Sequence, residues 1–192
     1  MLVDSRATWR RWLSAHHARS SGIWLVTWRK DSGGPYLAYD AIVEEALCFG
    51  WIDSKPRALD ATRTMLWLAP RKPGSGWSRA NKQRIERLLA AGRMAAPGLA
   101  RIEAARRDGS WSKLDAVEDL VVPDDLAQAL AAAPPATSAF AAFPRSVRRG
   151  ILEWIGNAKR DATRAARIEE TARLAARGER ANQWRPKADS RN

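Results

Sequence analysis

Cysteine is nearly absent from this chain of 192 residues, where Cys48 stands alone. No internal disulfide can form, which fits a reducing compartment. Histidine is almost as scarce, with only the adjacent His16 and His17. Neighbours on a helix point in different directions, and one thiolate cannot build a zinc cluster, so neither a metal site nor a cofactor is expected. No apolar run reaches the roughly 18 to 20 residues needed to span a bilayer, and residues 1–12 lack an apolar stretch of signal-peptide length. The expected address is the cytoplasm. The sequence also lacks a G-x-S-x-G elbow, a Walker loop and a dinucleotide fingerprint, so no catalytic residue is assigned on motif grounds.

Positive charge and tryptophan are in excess. The chain carries 33 Lys and Arg against 21 Asp and Glu, a net of +12, and ten tryptophans against three phenylalanines and two tyrosines. The charge is consistent with an anionic partner such as nucleic acid or an acidic surface, and also with a generally Arg-rich composition. It is uneven: residues 144–192 hold 13 basic and 6 acidic side chains, a net of +7. Hydrophobic residues at 45% and charged residues at 28% are near the globular average, and the length allows a real core.

Periodicity divides the chain. Trp9, Trp12 and Leu13 form one stripe of a helix over 5–17, capped by Asp4 or Ser5. Residues 23–28 are apolar on both alternations and read as a strand covered on both faces. A turn over 31–35 leads to a helix over 40–49, with Asp40 as its cap and Gly50 as its stop. Strands follow at 51–53 and 62–68, with a hairpin connection at 59–61. After a basic loop over 70–76, Ser75 or Ser78 caps a helix to about residue 91. Pro97 opens the next, ending at Gly109. Helices over 123–133, from Pro144, and over 160–177 complete the chain, with a Pro134-Pro135 interruption and a polar tail over 183–192 that is expected to fray. Strands confined to the first 70 residues, followed by helices, give an α+β class with a small antiparallel or mixed sheet of about three to five strands. The expected division is an α+β domain over 1–115, a helical C-terminal module over 116–178 packed on it, and a polar tail over 179–192.

Two segments carry candidate chemistry. Asp53 follows Trp51 at a helix-to-strand junction, where it could edge a cleft, pair with an arginine or cap a turn. In the second, Arg71 and Lys72 precede a glycine-containing loop that opens a helix, with Ser75, Trp77, Ser78 and Asn81 following. Backbone N–H groups, the helix dipole and two cations would then face one spot, which is how an anion site is built. A surface loop whose serines only cap the helix is the competing reading. In the last helix Arg160, Arg164 and Arg167 share one face, which suits either nucleic acid or solvent. Cys48 reads as a small core residue, and the Glu44–Glu45 pair as a solvated helix surface.

The segments 46–53 (Ala-Leu-Cys-Phe-Gly-Trp-Ile-Asp), 70–73 (Pro-Arg-Lys-Pro) with Trp77, Ser78 and Asn81, 92–94 and 98–99, and the later Ala158-Lys159, Thr163-Arg164 and Arg167-Ile168, together resemble the YdeI/OmpD-associated, bacteriocin-protection family. The resemblance runs from about residue 9 to 178. It implies a link to an outer-membrane porin and protection against bacteriocins or envelope stress, and brings no catalytic residue or cofactor; the role expected for this chain is intracellular stress or bacteriocin protection. The leading reading is a non-enzymatic protein with a cleft for an anionic small molecule or a protein segment. Arg71, Lys72, Ser75, Trp77, Ser78 and Asn81 form one wall, and Trp51 and Asp53 the other. The alternatives are a nucleic-acid-binding protein using Arg160, Arg164 and Arg167, and an enzyme using Asp53 as acid or base near Arg71.

Overall fold

The computed structural model describes residues 1–183 and divides into two compact units, 1–113 and 114 onward. The tail read over 183–192 lies, beyond residue 183, outside the described residues.

The first unit is α+β. It runs α1 (Arg6–His16), β1 (Ile23–Trp28), α2 (Tyr39–Cys48), β2 (Trp51–Ala58), β3 (Arg63–Pro70), α3 (Arg79–Ala90) and α4 (Ala96–Arg107). The three strands form an antiparallel sheet in the order β1-β3-β2. β2 and β3 make the expected hairpin. Its turn is tied by Asp60, whose carboxylate accepts from the amides of Thr62 (2.9 Å) and Arg63 (2.7 Å). The ladder is irregular between Asp53 and Pro56, where Pro56 has no N–H to donate.

The two faces of the sheet differ. Leu25 and Thr27 of β1 lie beside Leu68 and Leu66 of β3 and Trp51 of β2, all buried. Trp24, Val26 and Trp28 alternate to the other side and are only half-buried, with Trp24 and Trp67 meeting edge to face at 5.4 Å. Continuous apolarity in β1 therefore does not mean equal cover on both faces. The large indoles cover part of the second face themselves.

Ser5 caps α1, accepting from the Thr8 amide at 3.2 Å, so that Trp9 and Leu13 reach the core. The Trp9 indole also donates to the Ile42 carbonyl of α2 at 3.1 Å. α2 starts two residues earlier than the sequence suggests. Ala38 holds the cap position, and Asp40 lies within the first turn and pairs with Arg84 at 2.6 Å. Gly50 ends α2 at φ +74, a left-handed value that L side chains rarely adopt, and a Cβ there would meet the Arg101 side chain at 2.6 Å. A Cβ on Gly98 would come within 2.3 Å of the Cys48 carbonyl, so α4 crosses the end of α2 at backbone contact.

Glu45 is not on a solvated surface. Its side chain is 0% exposed and bound by three guanidinium groups: Arg6 at 2.5 Å, Arg10 at 2.7 Å and Arg93 at 2.6 Å. Arg10 also donates to the Arg93 carbonyl at 2.9 Å. One carboxylate thereby joins α1, α2 and the turn after α3.

The second unit is helical: α5 (Asp115–Glu118), α6 (Asp124–Ala131), α7 (Ala136–Ala142), α8 (Arg145–Gly156) and α9 (Asp161–Ala175). Leu126, Leu130, Phe140, Ile151, Ile155 and Ile168 form its core. The alanine-rich stretch after Pro135, which has little pattern of its own, becomes α7 because Ala136 and Phe140 pack inward. Among the described residues no helix is long and apolar enough to cross a membrane.

Removing the Glu45 carboxylate takes away the buried acceptor shared by three half-buried arginines, of which, among the described residues, only Arg6 keeps a second acid, Glu44 at 2.8 Å. Glu45→Ala should lower unfolding free energy by about 3–5 kcal/mol, read from urea denaturation. A loss under about 1 kcal/mol, the value of an ordinary surface pair, would show that the buried cluster is not holding the helices together.

Candidate functional site

The hairpin ladder brings the two candidate segments together. Trp51 pairs with Pro70, and the Arg71 amide donates to the Gly50 carbonyl at 2.9 Å. The side chains then part. Trp51 is buried in the core, its indole donating to the His17 carbonyl at 3.3 Å and meeting Trp12 edge-on at 5.8 Å. Ser78 caps α3. Asn81 is buried and accepts from Arg84 at 3.0 Å. These three side chains have structural work.

Arg71, Lys72, Ser75 and Trp77 stay together. With Arg101 of α4 and Ser110 of the turn after it they line a small hollow of about 70 Å³. Arg71 is only 5% exposed. Its guanidinium lies over the Trp77 ring at 3.7 Å, and Nη2 donates to the Gly76 carbonyl. Nε and Nη1 are buried with no hydrogen-bond partner, and among the described residues no carboxylate is within ion-pairing distance. Burial pulls the Arg71 pKa down to about 10, partly offset by the charge of Asp53, so the group remains a cation at neutral pH.

More positive charge gathers behind the ring. Trp77 tilts against Trp111 at 5.1 Å, and Trp111 has Lys82 and Arg106 each at 5.3 Å from its centroid. The one carboxylate in the lining, Asp108, is already engaged. Hydrogen bonds from Ser110, then from the Gly74 amide, hold its pKa below the ordinary value. Arg101 and Ser110 were not evident in the sequence because they come from α4 and the turn after it, 30 and 39 positions beyond Arg71; only their place in the fold makes them its neighbours.

Asp53 faces a different hollow, of about 480 Å³, between the sheet and the start of α2. It accepts a hydrogen bond from the Tyr39 hydroxyl at 2.7 Å. The lining of this pocket contains no histidine or cysteine. Among the described residues no group of His, Cys, Asp and Glu is placed to hold a metal ion.

The arginines of α9 are not a free basic face. Arg164 makes a two-pronged contact with Asp125, at 2.7 and 2.9 Å. Arg167 lies over Trp154 at 4.9 Å and donates to its carbonyl. Arg160 is exposed at the helix start. Beside Arg164, α6 and α9 border an open groove of about 920 Å³, with Ala129, Ala133, Ile168 and Ala172 in its lining.

Residues 1–101, more than half of the chain, match the model of a family described as a domain of unknown function, DUF8412. The chain belongs to that family. The DUF8412 match takes in β1–β3, α3, Arg71, Trp77 and Arg101, but assigns them no activity. Residues 119–178 match the model described as Bacteriocin-protection, YdeI or OmpD-Associated. The resemblance to that family therefore stands over the helical C-terminal stretch, a narrower span than 9–178. The segments over 46–53, 70–81 and 92–99 lie in the DUF8412 part instead. Comparison with curated proteins and with solved structures gave no match.

Two of the three α9 arginines are occupied, so they should matter little for nucleic acid. The triple variant Arg160→Ala, Arg164→Ala, Arg167→Ala should change affinity for a labelled oligonucleotide by less than about threefold in anisotropy titrations at 50 and 200 mM salt. A salt slope reduced by about three in that variant would make α9 the interface after all.

Proposed function

We propose that this protein is a non-enzymatic, intracellular binding protein of the bacteriocin-protection type, and that its DUF8412 part holds a small anion on Arg71. The match over 119–178 supports the general role. The one buried, unpaired cysteine suits a reducing interior. The observation that carries the binding reading is a single side chain, the buried guanidinium of Arg71 with two nitrogens unpartnered.

An uncompensated buried charge is strongly destabilising, so its persistence calls for a counter-charge. The hollow limits what that counter-charge can be. Its 70 Å³ compares with a liquid volume of about 30 Å³ per water, a size that suits a carboxylate or tetrahedral oxyanion head. Arg71 supplies charge and donors, Trp77 a flat wall, Ser75 and Ser110 lie in the lining, and Lys72 and Arg101 add to the positive field. A larger ligand would enter by its anionic end only.

Inorganic phosphate is a sufficient probe. At ten times its Kd it should stabilise the protein by roughly 1.4 kcal/mol, visible as a rise in Tm over a chloride buffer of matched ionic strength. Arg71→Met should abolish that rise, and in the chloride buffer it should melt no lower than the parent, because it removes an unpaired buried charge. A phosphate effect that survives in Arg71→Met, or its absence in the parent, contradicts the reading.

A further inference from the structure

We propose a second binding site in the first unit, at the pocket between α2 and the sheet, for an apolar molecule that carries a protonated amine. This pocket shares no lining residue with the Arg71 hollow. Its volume of about 480 Å³ is within the range of small-molecule sites, roughly 300–1,000 Å³. Leu37, Ile42 and Leu66 in its lining are buried hydrophobics, with Pro56 beside them. Tyr36 and Tyr39 stand at its rim, 48% and 49% exposed. Both belong to the small set of large apolar side chains that the described residues leave open to solvent, and both lie at this one pocket.

The polar group in this apolar setting decides the ligand. Asp53 accepts from the Tyr39 hydroxyl through Oδ2, at 2.7 Å. A carboxylate has room for further donors on its two oxygens. Partial burial, then the adjacent Asp53, push the Tyr39 phenol up to about 12, so the phenol remains a donor across the ordinary pH range. Two nearby cations are tied to their own acids: Arg84 to Asp40 and Arg63 to Asp60, each at 2.6 Å. Arg29 lies at the exposed edge, and Arg71 feels the charge of Asp53 only from outside the lining. A neutral apolar guest would fill the hollow and leave the carboxylate desolvated, and an anionic guest would be repelled. An ammonium group at Asp53 with an aromatic or aliphatic body against Leu37, Ile42 and Leu66 satisfies both parts of the pocket.

The test is calorimetric titration of the full chain with phenethylamine, neutral 3-phenylpropan-1-ol and anionic 3-phenylpropionate. These have similar apolar bodies and different charge. Phenethylamine should bind at least about tenfold more tightly than either of the others, as expected for a charge-assisted hydrogen bond. Asp53→Asn keeps an acceptor for Tyr39 and should bring the amine down to the level of the alcohol. Circular dichroism and Tm of that variant should match the parent. The proposal is overturned if none of the three binds, if phenylpropionate binds as well as the amine, or if Asp53→Asn leaves amine affinity unchanged.

Discussion

The buried carboxylate of Glu45 is the constraint on which the first unit is built. A fully desolvated charge is tolerable only with close, well-aligned partners, and here three arginines from two separate segments supply them. Their convergence fixes α1 against α2 and brings the turn after α3 to the same point. The rest follows from where α2 is held. Its first turn carries Tyr39 to Asp53 and places Ile42 in the pocket. Its end, at Gly50, receives the Arg71 amide. Both candidate sites therefore inherit their geometry from one ion cluster that belongs to neither.

Arg71 is treated in the opposite way, and that contrast is the argument for function. The same unit gives one buried acid three ion pairs and gives the buried Arg71 only the more distant charge of Asp53. The Trp77 face and the Gly76 carbonyl recover part of the lost hydration, but two nitrogens remain without partners. A structural arginine at this point could have been matched with an acid, as Arg84 and Arg63 are. An arginine that must meet an incoming anion could not.

The class, the positions of the three strands and most helix positions were legible because they rest on local signals: Ser5 and Ser78 at helix starts, Gly50 at an end, Pro97 in a first turn. What escaped was decided by distance along the chain. Glu45 looks like a surface residue until Arg6 and Arg93 arrive from either side. Asp40 resembles a cap, but Arg84 of α3 claims it. The apolar run of β1 could not reveal that its second face is only half-buried, covered in part by its own indoles. The candidate residues divided for the same reason. Proximity of segments was readable from a hairpin, whereas the direction of each side chain depended on register: Trp51 went to the core, Asp53 to the apolar pocket, and Arg71 to a hollow completed by α4.

The central claim is that the Arg71 guanidinium is poised for an anion. It is tested most directly by following the 15Nε–1Hε resonance of Arg71 by NMR while inorganic phosphate is added at constant ionic strength. A single, saturable shift of that resonance is expected as its unpartnered N–H acquires an acceptor, with the arginines remote from the hollow unmoved. An Arg71 signal that stays still through saturating phosphate, or drifts in step with the exposed arginines, would contradict it.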